Sequence, residues 1–230
     1  GDQAGGSGQS GEDGSVNLVI TPYYLLGALA VGGLLGYGLA RYRATSFQNR
    51  GEALVSQTIQ ANFSSPDFHL LSHITLKLRD GTTQVDHILV SRFGVFVIET
   101  KDYNGWIFAN AKHANWTQVM FGRKYRFQNP LFQNMRHTQA VSDLLDFLPI
   151  EAIKPLVIFV GQAQFKTDRP PGVFTLPELI EQIRSQTDEV LSLNRMQFCV
   201  GRLETARLAI TGNTDLEHVQ NLQRRHGNTR

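Results

Sequence analysis

Asp86, Glu99 and Lys101 interrupt two runs that otherwise read as buried strand, QVDHILVS and GVFVIETK. Side chains alternate between the two faces of a strand. In the second run Val95, Val97, Glu99 and Lys101 therefore share a face, continuing from Phe93, and in the first Asp86 shares one with Ile88 and Val90. A hairpin centred on Arg92-Phe93 pairs Val90 with Val95 and Asp86 with Glu99. Directly opposed Cβ atoms lie about 5 Å apart, so two carboxylates would meet, with Lys101 one step beyond. A slip of one residue would separate them onto opposite faces. Carboxylates that close repel unless a cation or a shared proton lies between them. A hard divalent ion such as Mg²⁺ takes oxygen ligands and uses only one or two carboxylates, completing its shell with water and phosphate oxygens. A neighbouring lysine would stabilise charge on a phosphate or help activate a water. Acid, acid and lysine on adjacent strands thus fit metal-assisted phosphodiester hydrolysis. A solvated strand end with an ordinary Glu-Lys surface pair fits the spacing as well, and both readings stay open on spacing alone.

Other chemistry-bearing residues are fewer. The single cysteine, Cys199, excludes an internal disulfide and a Cys-rich zinc site, and its apolar surroundings suit a small buried hydrophobe. His87 alternates away from Asp86 and reads as a core or supporting histidine; His69 and His73, four apart on a strand, stand too far apart to chelate one ion and read as structural. The stretch KHANWTQVMFGRKYRFQN interleaves Lys112, Arg123, Lys124 and Arg126 with Trp116, Phe121, Tyr125 and Phe127. Cations for phosphates and rings for stacking suit a nucleic-acid groove, and an amphipathic hairpin with a solvated basic side suits them slightly better. No phosphate-cradling glycine loop and no serine or cysteine nucleophile set is present. A net charge of +2 leaves any basic surface local.

The elements that must position these residues follow from periodicity. SFQNRGEALVSQTIQANF suits a helix, with Leu54, Val55 and Ile59 on roughly one side. FHLLSHITLKLRDG reads as a strand ending in an Asp-Gly turn, and the two acid-bearing strands come next. Residues 106–127 read as short strands and turns. Asn129-Pro130 opens a helix that carries Leu131, Met135, Val141, Leu144, Leu145 and Leu148. PLVIFV reads as a central strand, LPELIEQIRSQ as a helix, and the remainder as helical with a polar end. The pattern is α/β or α+β.

Residues 1–17, rich in Gly and Ser, read as a disordered tail or remnant, and residues 216–230 as a polar C-terminal tail. Between Tyr23 and Ala40 no charge occurs, and residues 18–42 are long enough to span about 30 Å of hydrocarbon. Tyrosines lie toward both ends, and Arg41, Arg43 and Arg50 follow the segment. These features predict a single-pass anchor of a bacterial inner membrane with the C-terminal domain, residues 47–215, in the cytoplasm. Ala28, Gly32, Gly36 and Ala40 form a stripe of small residues that would suit a homodimer contact between anchors.

VDHILVSRFGVFVIETKDYNGWI resembles the signature of the nuclease-related domain, a family similar to the PD-(D/E)XK nucleases of the restriction-endonuclease-like fold. In that resemblance Asp86 is the first acid and Glu99-Thr100-Lys101 the E-x-K element. Gly51-Glu52 matches the family's Gly-Glu, and Asn129-Pro130 with Gln133 and His137 matches its N-P-x-x-Q-x-x-x-H helix. Val85 stands where a proline often precedes the first acid. The resemblance implies a restriction-endonuclease-like core, a central mixed sheet flanked by helices. It implies an Mg²⁺- or Mn²⁺-dependent nuclease acting on DNA or RNA, DNA foremost. Asp86, Glu99 and Glu52 would be metal ligands, and Glu52, Asp86, Glu99, Lys101 and Gln133 the catalytic set. His137 would contact nucleic acid, joined, on the composition of their own stretch and not on the resemblance, by Lys112, Arg123, Lys124 and Arg126. A membrane-tethered module that binds nucleic acid or protein without cutting is the alternative.

Overall fold

A computed structural model describes residues 31–33 and 50–207. The chain divides into two compact units, Gly1–Ala44 and Thr45–Arg230. Of the first unit only residues 31–33 are described, as helix. The rest of the segment 18–42, with Ala28, Gly36 and Ala40, lies outside the described residues, as do the tails 1–17 and 216–230. Among the described residues no helix is long and apolar enough to cross a membrane.

The second unit is a mixed α/β fold with two sheets flanked by helices. Helix α1 covers residues 50–62. Strands β1 (Phe68–Leu78), β2 (Gly81–Ser91) and β3 (Gly94–Asp102) follow as an antiparallel meander. Three short strands come next, β4 (Gly105–Phe108), β5 (Asn115–Met120) and β6 (Arg123–Gln128), then helix α2 (Pro130–Leu144). A 3₁₀ turn (Ile150–Ala152) leads into β7 (Ile153–Val160), and β8 (Ala163–Phe165), β9 (Val173–Thr175), α3 (Leu176–Arg184) and α4 (Leu193–Ala206) complete the described chain. The main sheet has the order β1-β2-β3-β7-β9, with β7 parallel to both its neighbours. The smaller sheet has the order β6-β5-β4-β8.

The turns set the register. Leu78 pairs with Gly81 across the Asp-Gly turn, and Val90 pairs with Val95 and Ser91 with Gly94 across Arg92-Phe93. That is the register the hairpin centred on those two residues requires. Strand β3 then lies between two layers of side chains. Phe96 and Ile98 face Val55 and Ile59 of α1 and Leu179 and Ile183 of α3, while Val95 and Val97 face Val141 and Leu145 of α2 and Cys199 and Leu203 of α4. Burial on both faces explains why β3 is apolar almost throughout. Each fully buried aliphatic there contributes about 1.5–3 kcal/mol relative to exposure. The smaller sheet packs Ile107 and Trp116 onto Val157, Phe159 and Val173 of the main sheet. The Trp116 ring lies nearly parallel to Phe159, at 6.1 Å between centroids. Strands β8 and β9, three residues each, were too short to leave a period in the sequence.

Helix α2 begins where its sequence indicates. The Asn129 side chain accepts from the Leu131 amide at 3.0 Å, and Pro130 occupies the first turn, where no donor is needed. The same Asn129 amide donates to the His113 carbonyl at 2.8 Å, tying the 111–114 turn to the start of the helix. Replacing it removes both the cap and this tie. Asn129→Ala is expected to lower stability by about 2 kcal/mol, and Asn129→Ser, which keeps the cap, by about half of that. Urea unfolding of the two variants measures the difference.

Candidate active site

The backbone ladder between β2 and β3 closes at His87 opposite Ile98. Asp86 and Glu99 are the next residues beyond this last pair, outside the ladder. There a side chain takes over from the ladder: the Thr100 amide donates to Asp86 Oδ2 at 2.7 Å. Strict alternation also breaks at this point, because Val85 and Ile88 pack in the same core cluster. Opposite the break, His73 on β1 adopts φ 54°, the left-handed region that a side chain of its size seldom occupies. Its neighbours Ser72 and Ile74 pair with His87 and Val85, whereas His73 and Asp86 are left out of the ladder.

Glu99 is almost fully buried and held at both oxygens. Lys101 Nζ donates to Oε1 at 2.5 Å, and His137 Nε2 lies 2.9 Å from Oε2. Lys101 also donates to Gln133 Oε1 at 3.0 Å, while His137 Nδ1 lies 2.7 Å from the Thr83 hydroxyl. A single ring proton on Nε2 satisfies both histidine contacts, with Nδ1 accepting from Thr83. Gln133 and His137, four apart on α2, therefore face the acids together.

Glu52 arrives from the other layer, on α1. Gly51 makes its approach possible: a Cβ there would lie 2.7 Å from Asp102 Cβ and 2.9 Å from Val160 Cγ2. The carboxylate of Glu52 meets His73 Nδ1 at 3.2 Å. The helix is fixed to β2 through buried His87, whose Nε2 lies 2.7 Å from Ser56 Oγ and 3.1 Å from the Glu52 carbonyl.

Electrostatics sort the three carboxylates. Burial pushes Asp86 well above the usual carboxylate range, and the charges of Glu99 and Glu52 push it further. Burial also raises Glu52. Burial would raise Glu99 too, but Lys101 and His137 outweigh it and hold this carboxyl below its ordinary value. Lys101 goes up, because Glu99 overcomes the desolvation that would lower it. The ammonium therefore persists, which suits charge stabilisation and water orientation rather than proton abstraction. Asp86 has no cation in contact among the described residues. Its hard oxygen donors, beside those of Glu99, fit a divalent cation that would relieve the repulsion. No three Asp, Glu, His or Cys side chains converge on one point among the described residues, so no all-protein cage exists. Glu52, expected as a third ligand, is turned to His73 instead.

Lys112, Arg123, Lys124 and Arg126 are all exposed on the smaller sheet and its turns, and none bonds to the carboxylates. His137, expected to contact nucleic acid, is 3% exposed with both ring nitrogens engaged behind Glu99. His73 and Thr83 were not anticipated. The His69/His73 spacing marked His73 only as structural, and nothing in the sequence signals its left-handed backbone.

Residues 48–160 match the family model of the nuclease-related domain. An uncharacterized protein of Bacillus anthracis is 41% identical over 97 residues, which cover 42% of this chain and 45% of that protein. The chain thus spans less than half the length of that relative. No solved structure matches the chain significantly.

Two outcomes test the geometry. Gly51→Ala forces α1 away from β3 and β7, with an expected stability loss of about 1–3 kcal/mol by urea unfolding. Burial lowers His87 from 6.5 to about 4. The unfolded chain then binds the extra proton, so the contribution of the neutral ring is complete above about pH 6.5 and is lost as pH falls toward 4. Between pH 7 and 5 the wild type is expected to lose about 2 kcal/mol more than His87→Gln.

Proposed function

From the premise that the chain carries a nuclease-related domain over residues 48–160, we propose that it hydrolyses phosphodiester bonds in nucleic acid, DNA foremost, with Mg²⁺ or Mn²⁺ held by Asp86 and Glu99. The observation that carries this reading is the buried Asp86 beside Glu99, a pair short of one cation and flanked by a persistent ammonium. Bound there, the ion would act as a Lewis acid toward a phosphate oxygen and toward water. Lys101, steered by Glu99 and Gln133, would orient that water and stabilise charge on the phosphoryl oxygens. Water adds across the P–O3′ bond, leaving a 5′-phosphate and a 3′-hydroxyl. His137 is a positioning residue that fixes the Glu99 carboxylate from behind, as outer partners of metal ligands do. Glu52 with His73 would support the shell from α1 without binding the ion directly. With residues 18–42 as an anchor, the domain would work at the cytoplasmic face of an inner membrane.

A second reading has one specific observation in its favour. Glu99 is already satisfied by Lys101 and His137, as it would be in a module that grips nucleic acid without cutting.

Incubation of the full chain with DNA and RNA in Mg²⁺ or Mn²⁺ separates the two. Cleavage is expected, falling to background in Asp86→Ala and Glu99→Ala and by about 10–100-fold in His137→Ala. Cleavage unchanged by the first two variants would overturn the assignment. A companion measurement needs no turnover. A carboxyl raised on folding costs stability as pH climbs above its ordinary value of 3.8. Asp86→Asn, which can still accept from Thr100, is therefore expected to raise the metal-free melting temperature and to abolish further stabilisation by Mn²⁺.

A further inference from the structure

The smaller sheet carries two faces of opposite character. Its inner face is the core of Ile107, Trp116 and Phe127. Its outer face is ordered by the register of three strands. Trp106 pairs with Val119, which pairs with Lys124; Phe108 pairs with Thr117, which pairs with Arg126. Paired residues share a face. Two parallel rows result, each running from an aromatic ring to a cation across one small side chain, with no carboxylate in either. Trp106 is 49% and Phe108 40% exposed, and Lys166 Nζ stands 4.9 Å from the Trp106 ring centre.

The hairpin beyond these rows adds a strained residue. Met120 pairs with Arg123, so Phe121 and Gly122 form a two-residue turn, both with positive φ (50° and 74°). Such a turn favours Asn-Gly, because a bulky side chain there is strained. Yet Phe121, a residue 93% exposed, occupies it. The strained position is spent on presenting an aromatic ring to solvent beside Arg123 and Lys124. Strain of this kind concentrates where a surface works.

We propose that this outer face and the Phe121 tip form a base-stacking platform for a single strand of nucleic acid. The inference deepens the function proposed above, on whose nucleic-acid substrate it rests. Its physical basis is spacing. Trp106 and Phe108 are two residues apart on one strand, roughly 7 Å, about twice the 3.4 Å rise of stacked bases. Each ring can take a base only if the two bases no longer stack on each other, as in an extended single strand and not in a duplex. The phosphates then run on the cation side, toward Lys124 and Arg126. Ring stacking with a tracking cation row is sequence-tolerant and salt-sensitive.

The chain has two tryptophans, and Trp116 is 1% exposed, so quenching by a stacked base reports on Trp106. The full chain is titrated in EDTA with an oligothymidylate, a blunt duplex and anionic phospholipid vesicles. EDTA suppresses cutting, so a protein that fails to cleave can still pass or fail this test. The oligothymidylate is expected to quench the fluorescence, with the duplex and the vesicles far weaker. Trp106→Leu, read by anisotropy of a labelled oligonucleotide, and Lys124→Glu/Arg126→Glu are expected to weaken binding about tenfold or more. Phe121→Asn supplies the residue the turn prefers, so it is expected to hold or raise the melting temperature while weakening the single strand several-fold. Absence of quenching, equal quenching by duplex or vesicles, or full affinity in Trp106→Leu and Phe121→Asn would overturn the platform.

Discussion

Asp86 and Glu99, both buried, repel each other and also feel the charge of Glu52, and much of the surrounding structure answers that repulsion. Glu99 is neutralised by the Lys101 ammonium and held at its other oxygen by the His137 ring, and Glu52 is met by His73. Among the described residues Asp86 receives only a backbone donor, the Thr100 amide. The arrangement leaves one carboxylate under-compensated at the point where β2 and β3 part. A protein interior tolerates such a group at a cost in stability, and a cation supplied from solution removes the cost.

The fold keeps the acids close despite the repulsion. Strand β3 is clamped between helix layers on both faces and by parallel β7 along one edge, so Glu99 and Lys101 have little freedom to move apart. Helix α2 crosses this strand with Gln133 and His137 directed at the same two residues. Its Asn134 side-chain amide donates to the Val97 and Leu156 carbonyls of adjacent strands, pinning the helix over the sheet. On the opposite layer, Gly51 lets α1 sit against the end of β3, and Glu52 follows from that approach. The smaller sheet hangs from the same strand end: β4 starts three residues after Asp102, and Tyr103 packs edge-on against Phe127 and Phe159. A stacking platform on its outer face would thus lie a few residues along the chain from Lys101.

Much of this was legible in the residues. The Arg92-Phe93 turn fixed the β2–β3 register from Ser91–Gly94 to His87–Ile98, because hairpin arithmetic leaves no second solution that buries the valines, and Asp86 and Glu99 lie just past its end. The Asn-Pro start of α2, the buried Cys199 and the interior, two-sided burial of β7, one strand in from the edge, were also readable, since each depends on local chemistry or a short apolar run. What escaped depends on tertiary contact. The broken alternation at Asp86–His87 and the left-handed His73 arise from strands diverging, which no period records. His137 reads from its helix face as a surface contact and becomes a buried partner only because Thr83 and Glu99 close over it. The role of Gly51 is invisible without Asp102 and Val160 against it. The anchor expected over residues 18–42 lies, apart from 31–33, outside the described residues, so its basis remains composition and charge order.

The pairing of Asp86 and Glu99 as a cation site is the claim on which the chemistry turns. Anomalous-difference density from crystals of the protein grown with Mn²⁺ tests it directly. A peak about 2.0–2.3 Å from a carboxylate oxygen of each residue, lost in Asp86→Asn, is the result expected. Crystals with Mn²⁺ bound elsewhere and no peak between Asp86 and Glu99 would contradict it.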